Sequence, residues 1–147
     1  MAQTLAEVIV LLKAKLVSLK NGTSPVFGDV FDYAQGDFKN FPAASVVETG
    51  GRPAQVIDTH RNQRIYNFTI RLYQEQSKQG KNKEQAATIM RAATDSILTA
   101  FDQDKDLGGE VQIVRPVEFD TNFQVAAGTY NFATFKVDVV VLVNSFK

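Results

Sequence analysis

Apolar and polar residues alternate along the chain with two different periods, and the change of period divides it into elements. At period two, Tyr66, Phe68, Ile70 and Leu72 fall on one side of the stretch from Gln63 to Glu75, with Asn67, Thr69, Arg71 and Tyr73 on the other. That is a strand with one buried face. A second such run, from Tyr130 to about Val143, sets Ala133, Phe135, Val137, Val139, Val141 and Val143 on one face, and Thr134, Lys136 and Asp138 open the other. Val140 and Leu142 then turn that second face apolar, so a helix or another subunit is expected to cover it there. At periods three and four, Leu5, Val8, Ile9, Leu12, Leu16 and Leu19 form a helical stripe, as do Ala86, Ile89, Met90, Ala93, Ile97, Ala100 and Phe101 further on.

Local signals place the ends of these elements. Thr4-Leu5-Ala6-Glu7 is a capping box for the first helix, and Asn21-Gly22 is expected to stop it. Asn82 followed by Gln85 predicts the start of the second helix, and Gln76 to Lys83 reads as its exposed lead-in. Between the first helix and the long strand, two short strands are expected, from about Val26 to Tyr33 and from Ala43 to Glu48, the latter closed by Gly50-Gly51. Phe27, Phe31, Tyr33, Phe38 and Phe41 interleave there with Asp29, Asp32 and Asp37, which suits either a roof over the core or a partner-binding patch. After Leu107-Gly108-Gly109, the residues Val111, Ile113 and Val117 predict a strand that Pro116 assigns to an edge or a bulge, with a loop around Asp120 to Gly128. The expected fold class is therefore α+β: a mostly antiparallel sheet with two amphipathic helices, in a single domain covering residues 1–147.

Composition narrows the chemistry. Sixteen basic and sixteen acidic side chains balance to zero, which disfavours a surface that grips nucleic acid by neutralising phosphates. With no cysteine there is no disulfide, thiol nucleophile or thiolate metal site. The apolar run Val8 to Leu12 is too short to span a bilayer and lacks a basic lead, so a soluble protein without membrane contact is expected. His60 is the sole histidine, and Asp58 shares its face in an extended chain, but no nucleophile motif stands beside them. Asp102, Asp104 and Asp106 mimic the opening of a calcium loop, yet Leu107 occupies the place of the required glycine and Ile113 that of the bidentate glutamate. Those aspartates read better as a solvated helix end, and neither diglycine continues into a phosphate-binding motif. No catalytic, cofactor or metal residue is assigned, and a non-enzymatic role through surfaces is expected.

The element order, together with Phe41-Pro42-Ala43-Ala44-Ser45-Val46, Asn67-Phe68-Thr69-Ile70-Arg71-Leu72-Tyr73 and Met90-Arg91-Ala92-Ala93-Thr94-Asp95-Ser96-Ile97-Leu98, resembles the tail terminator family of long-tailed bacteriophages, also called tail completion or minor tail protein U-like proteins. The resemblance spans nearly the whole chain and is carried by packing residues. It implies a subunit of a ring, typically hexameric, that caps the head-proximal end of the tail tube in the virion after synthesis in the host cytoplasm. Such a ring stops tube polymerisation and offers a surface for head joining. The implied partners are other copies of the chain, the tail tube protein and a head-tail connector or neck protein, with DNA passing through without specific binding. On that reading Val140, Leu142, Arg71 and Tyr73 are candidate subunit contacts, and Arg52, Lys78 and Lys81 are candidate contacts to the tube or connector. Two alternatives stay open: a head-to-tail connector or neck protein, and a small enzyme or ligand-binding domain with its site near His60.

Overall fold

The computed structural model describes residues 3–34, 39–56, 61–75, 81–126 and 130–144. Helix α1, Leu5–Ser18, starts at the predicted capping box: the Glu7 amide donates to Thr4 Oγ1 at 3.2 Å, and the Thr4 amide donates to Glu7 Oε1 at 3.3 Å. Each bond satisfies a group that helix geometry would leave without a partner. Val8, Leu12 and Leu16, four residues apart, are its buried line. The helix ends at Leu19, whose backbone is already extended, so Asn21-Gly22 is not its stop. That pair instead turns a two-stranded hairpin of β1, Lys20–Asn21, and β2, Ser24–Pro25, with Gly22 at φ 67° supplying the left-handed residue.

The main sheet has five strands in the order β3-β4-β5-β7-β6. Strand β3, Asp29–Phe31, runs parallel to the start of β4, Ala43–Val56; it is much shorter than the predicted Val26–Tyr33. Its neighbourhood is tied down instead by polar bonds: the Asp29 carboxylate accepts from the Asn40 amide and side chain at 3.2–3.3 Å, and the Gly28 amide donates to Pro42 O at 2.8 Å. A Cβ at Gly28 would stand 2.7 Å from Asn40 Cβ, so only glycine allows this approach.

Strand β4 does not close at Gly50-Gly51. It absorbs an extra residue in a bulge between Glu48 and Gly50 and continues to Val56, paired throughout with β5, Arg61–Glu75. Strand β5 lies at the centre, between β4 and β7, Tyr130–Asn144. Helix α2, Lys81–Gln103, begins ahead of the predicted cap, so Asn82 lies inside its first turn and Lys81 to Lys83 belong to the helix. Strand β6, Ile113–Ala126, forms the far edge of the sheet, as Pro116 predicts, with a bulge between Pro116 and Glu118. It continues through residues expected in a loop, with a second irregularity between Asp120 and Gln124.

Both helices pack on one face of this sheet. Val8, Leu12 and Leu16 of α1 and Met90, Ala93, Ile97 and Phe101 of α2 share one buried cluster with Phe68, Ile70, Leu72, Phe135, Val137, Val139 and Val141. Truncating one of its larger members, such as Phe68, removes about 3–5 kcal/mol. Ile89, expected on the buried stripe, is 38% exposed. Val111 and Val114 reach the core while Ile113 does not, because Val111 precedes the strand in a turn whose amide donates to Asp106 O at 3.1 Å. The inward parity of β6 therefore begins at Val114.

Candidate functional site

Among the described residues no helix packs on the second face of the five-stranded sheet, and the predicted contact residues divide along it. At one end Val140 is 4% exposed, flanked in register by Ile65 of β5, 7% exposed, and Ile113 of β6. Gln63 Nε2 donates to Gln112 Oε1 at 2.8 Å, and since β7 lies between β5 and β6, this bond bridges over it. Val140 is thus buried within the single chain, between Ile65 and Ile113, without the helix or second subunit expected for it. Leu142, opposite Gln63, remains half-buried.

The middle of the face is polar. Asn67 Nδ2 donates to the Asp138 carboxylate at 2.6 Å across the β5–β7 pair, a short bond to a charged acceptor. Lys136 and Glu118 pair at 3.3 Å with both side chains well exposed, an arrangement worth under about 1 kcal/mol. At the opposite end Arg71 is exposed and Tyr73 half-buried. Ser45, in register with Arg71 and Phe31, is fully buried, and among the described residues its Oγ has no hydrogen-bond partner. Phe31 meets Tyr33 edge-to-face at 5.6 Å, and Tyr33 is largely exposed. The aromatic segment therefore splits: Phe27 joins the core, whereas Phe31 and Tyr33 lie towards the surface, and Phe38 lies outside the described residues.

Of the loop candidates, Arg52 is exposed on β4, Lys81 is the first residue of α2, and Lys78 lies outside the described residues, as do Asp58 and His60. Asp104 is more than a solvated helix end. Its carboxylate accepts from the Gly108 amide at 2.9 Å and from Lys15 Nζ at 2.9 Å, joining the turn after α2 to α1. The Gly108 bond, then Lys15, hold this carboxyl below its usual 3.8. The turn it braces takes left-handed backbone at Leu107, Gly108 and Gly109, and the buried Leu107 side chain offsets the strain of φ 50° at a non-glycine residue.

Three features escaped sequence reasoning. Helix α1 presents Val10 and Val17, 59% and 55% exposed, on the face opposite its buried line. The signal was present, because Leu5–Ser18 is apolar nearly all round, and such a helix is usually buried on more than one side. Strand β6 exposes Val117 and Phe119, the latter stacked 5.7 Å from Phe135. A groove of about 330 Å³ between α2 and the β1–β2 hairpin is lined by Asn21, Pro25, Pro42, Ile89 and Ser96 among others, with no ionisable side chain among its described lining residues. Also among the described residues, no group of three or more His, Asp or Glu is placed to hold a metal.

No helix among the described residues is long and apolar enough to cross a membrane. No protein-family model matches the chain, and no curated protein matches it.

Proposed function

We propose that the chain is a virion structural protein that assembles as a ring on the end of a phage tail tube, stops its polymerisation and presents a surface for head joining. The observation that carries this reading is the helix-free sheet face, which interleaves the cations Arg52, Arg71, Arg115 and Lys136 with the carboxylates Asp138, Glu118 and Asp120. Carboxylates set among the cations keep such a wall from acting as a continuous basic patch, so it grips a duplex less than a phosphate-binding surface does. The zero net charge of the chain acts in the same sense. The resemblance to tail terminators supplies the biological setting, and the layered fold, with helices on one side and a bare sheet on the other, is compatible with it.

Mixing the protein with tail tube protein and measuring tube lengths by electron microscopy tests the proposal. Tubes of limited length with a ring at one end are expected. Unlimited growth with no bound cap sinks it, and binding to a portal complex in place of the tube assigns the chain to the head-side connectors.

A further inference from the structure

Among the described residues, two edges of the main sheet carry stretches with no strand beside them. Strand β6 is the terminal strand on one side. On the other side β3 covers only Ala43 to Ser45 of β4, so from Val46 to Val56 the outer edge of β4 has no strand beside it among the described residues. Each open edge directs backbone N–H and C=O groups away from its own sheet, a template that either pairs or must be blunted. Pro116 and the bulge at Val117 remove the start of β6 from any such pairing, leaving Glu118 to Ala126. A further register shift in β6 between Asp120 and Gln124, and those in β4 between Glu48 and Gly50 and between Pro53 and Gln55, leave Glu118 to Asp120 and Gly50 to Arg52 as short regular runs on the two edges.

Direction and charge favour a junction at these runs. Strand β6 is antiparallel to β7, β7 to β5 and β5 to β4, so β6 runs antiparallel to β4. A second copy added in the same orientation beside β6 therefore brings its β4 alongside in antiparallel sense, and the alternation of the sheet continues. Arg52 of β4 lies in register with Ile65, and Glu118 and Asp120 of β6 with Lys136 and Thr134, which puts all three on the helix-free face. Arg52 then meets an acidic pair across the junction, and the exposed ion pair of Glu118 with Lys136 is weak enough to share its carboxylate.

We infer that copies of this chain join head to tail by main-chain pairing of the β6 edge around Glu118 to Asp120 with the open β4 edge of the next copy around Gly50 to Arg52, registered by Arg52 against Glu118 and Asp120. The contact is heterologous, so its rotation decides between a closed ring and a filament. It deepens the proposed function and rests on the reading of the chain as a homo-oligomer.

Hydrogen exchange and charge reversal on the full chain test it. In the assembled protein, alone or on tube protein, peptides covering 46–52 and 118–126 are expected to gain at least tenfold protection over the monomer. Arg52→Glu and Glu118→Arg should each raise the concentration for half-assembly about tenfold, with melting of the monomer unchanged, and the double variant should return to within about threefold of wild type. Assembly without protection in those two segments, or single losses that the double variant fails to restore, overturns the edge pairing and leaves the ring reading intact. A chain that stays monomeric even with tube protein overturns both.

Discussion

Replacing Val140 by aspartate places a carboxylate where the chain alone has already excluded water. Val140 is 4% exposed between Ile65 and Ile113, and aspartate is close to valine in volume, so steric change contributes little. The nearest acid along the strand on the same face, Asp138, adds like-charge repulsion, and its Asn67 partner is already engaged. An unpaired buried charge costs about 3–5 kcal/mol, unless the group takes up a proton and loses its charge at smaller cost. For a domain of this size each kcal/mol moves the midpoint by about 2–4 °C, so Val140→Asp should melt roughly 6–20 °C below wild type. Leu142→Asp, at a half-buried site, should fall by less. Circular dichroism melts in dilute solution, with light scattering confirming monomer, read the effect without assembly. If Val140→Asp melts with wild type and loses only assembly, a neighbouring subunit covers Val140 and the account given above is wrong.

Asp104 has a depressed folded pKa, so its contribution is complete above its usual 3.8 and is lost as the pH falls below that value. Denaturation midpoints should therefore drop on this acid limb, and Asp104→Asn should flatten the limb while melting lower than wild type at neutral pH. A Cβ at Gly51 stands 2.6 Å from Ile65 O, a backbone atom that cannot swing away, so Gly51→Ala should cost about 1–3 kcal/mol in a urea titration as β4 and β5 part locally. Thr4→Ala removes the acceptor of the α1 capping box and should destabilise by about 1 kcal/mol, read as a fall of roughly 2–4 °C in the melting midpoint.

Strands β5 and β7 and the start of α1 were legible in the sequence because each rests on near-neighbour pattern: alternation for the strands, a four-residue reciprocal cap for the helix. Gly50-Gly51 misled because a diglycine signals a turn only when nothing pairs with it. Fifteen residues of β5 offer a partner along the whole of β4, and the bulge uses Gly50 at φ 135° to keep the ladder going. Val111 misled by parity, since a turn residue facing the core mimics a strand position. The site was less legible than the fold. The bridge across β7 depends on Gln63 meeting Gln112, and the brace on the α2 turn on Lys15 meeting Asp104, 89 residues apart. Neither spacing repeats along the chain, so no periodicity announces it.

Where the apolar surface ends up bears on how copies meet. The helix-free face buries Val140, Ile65, Ala43 and Ser45 within one chain, so it has little apolar area left to give a neighbour. Exposed apolar groups stand elsewhere, at Val117 and Phe119 on the β6 edge and at Val10 and Val17 on α1. The edge-to-edge joining proposed above would put the helices of every copy on one side of a continuing sheet and the interleaved charges on the other. The assembly then has one helical wall and one sheet wall, and Val10 and Val17 lie on the helical side, away from the face assigned to the DNA path. A surface that is apolar, helical and repeated once per subunit is suited to gripping a protein, whereas the sheet wall is suited to letting a polyanion pass. Substituting Val10 and Val17 by serine should accordingly leave the edge contact between copies in place and weaken binding to the tube or to the head-side partner, a separation that cosedimentation with each component measures.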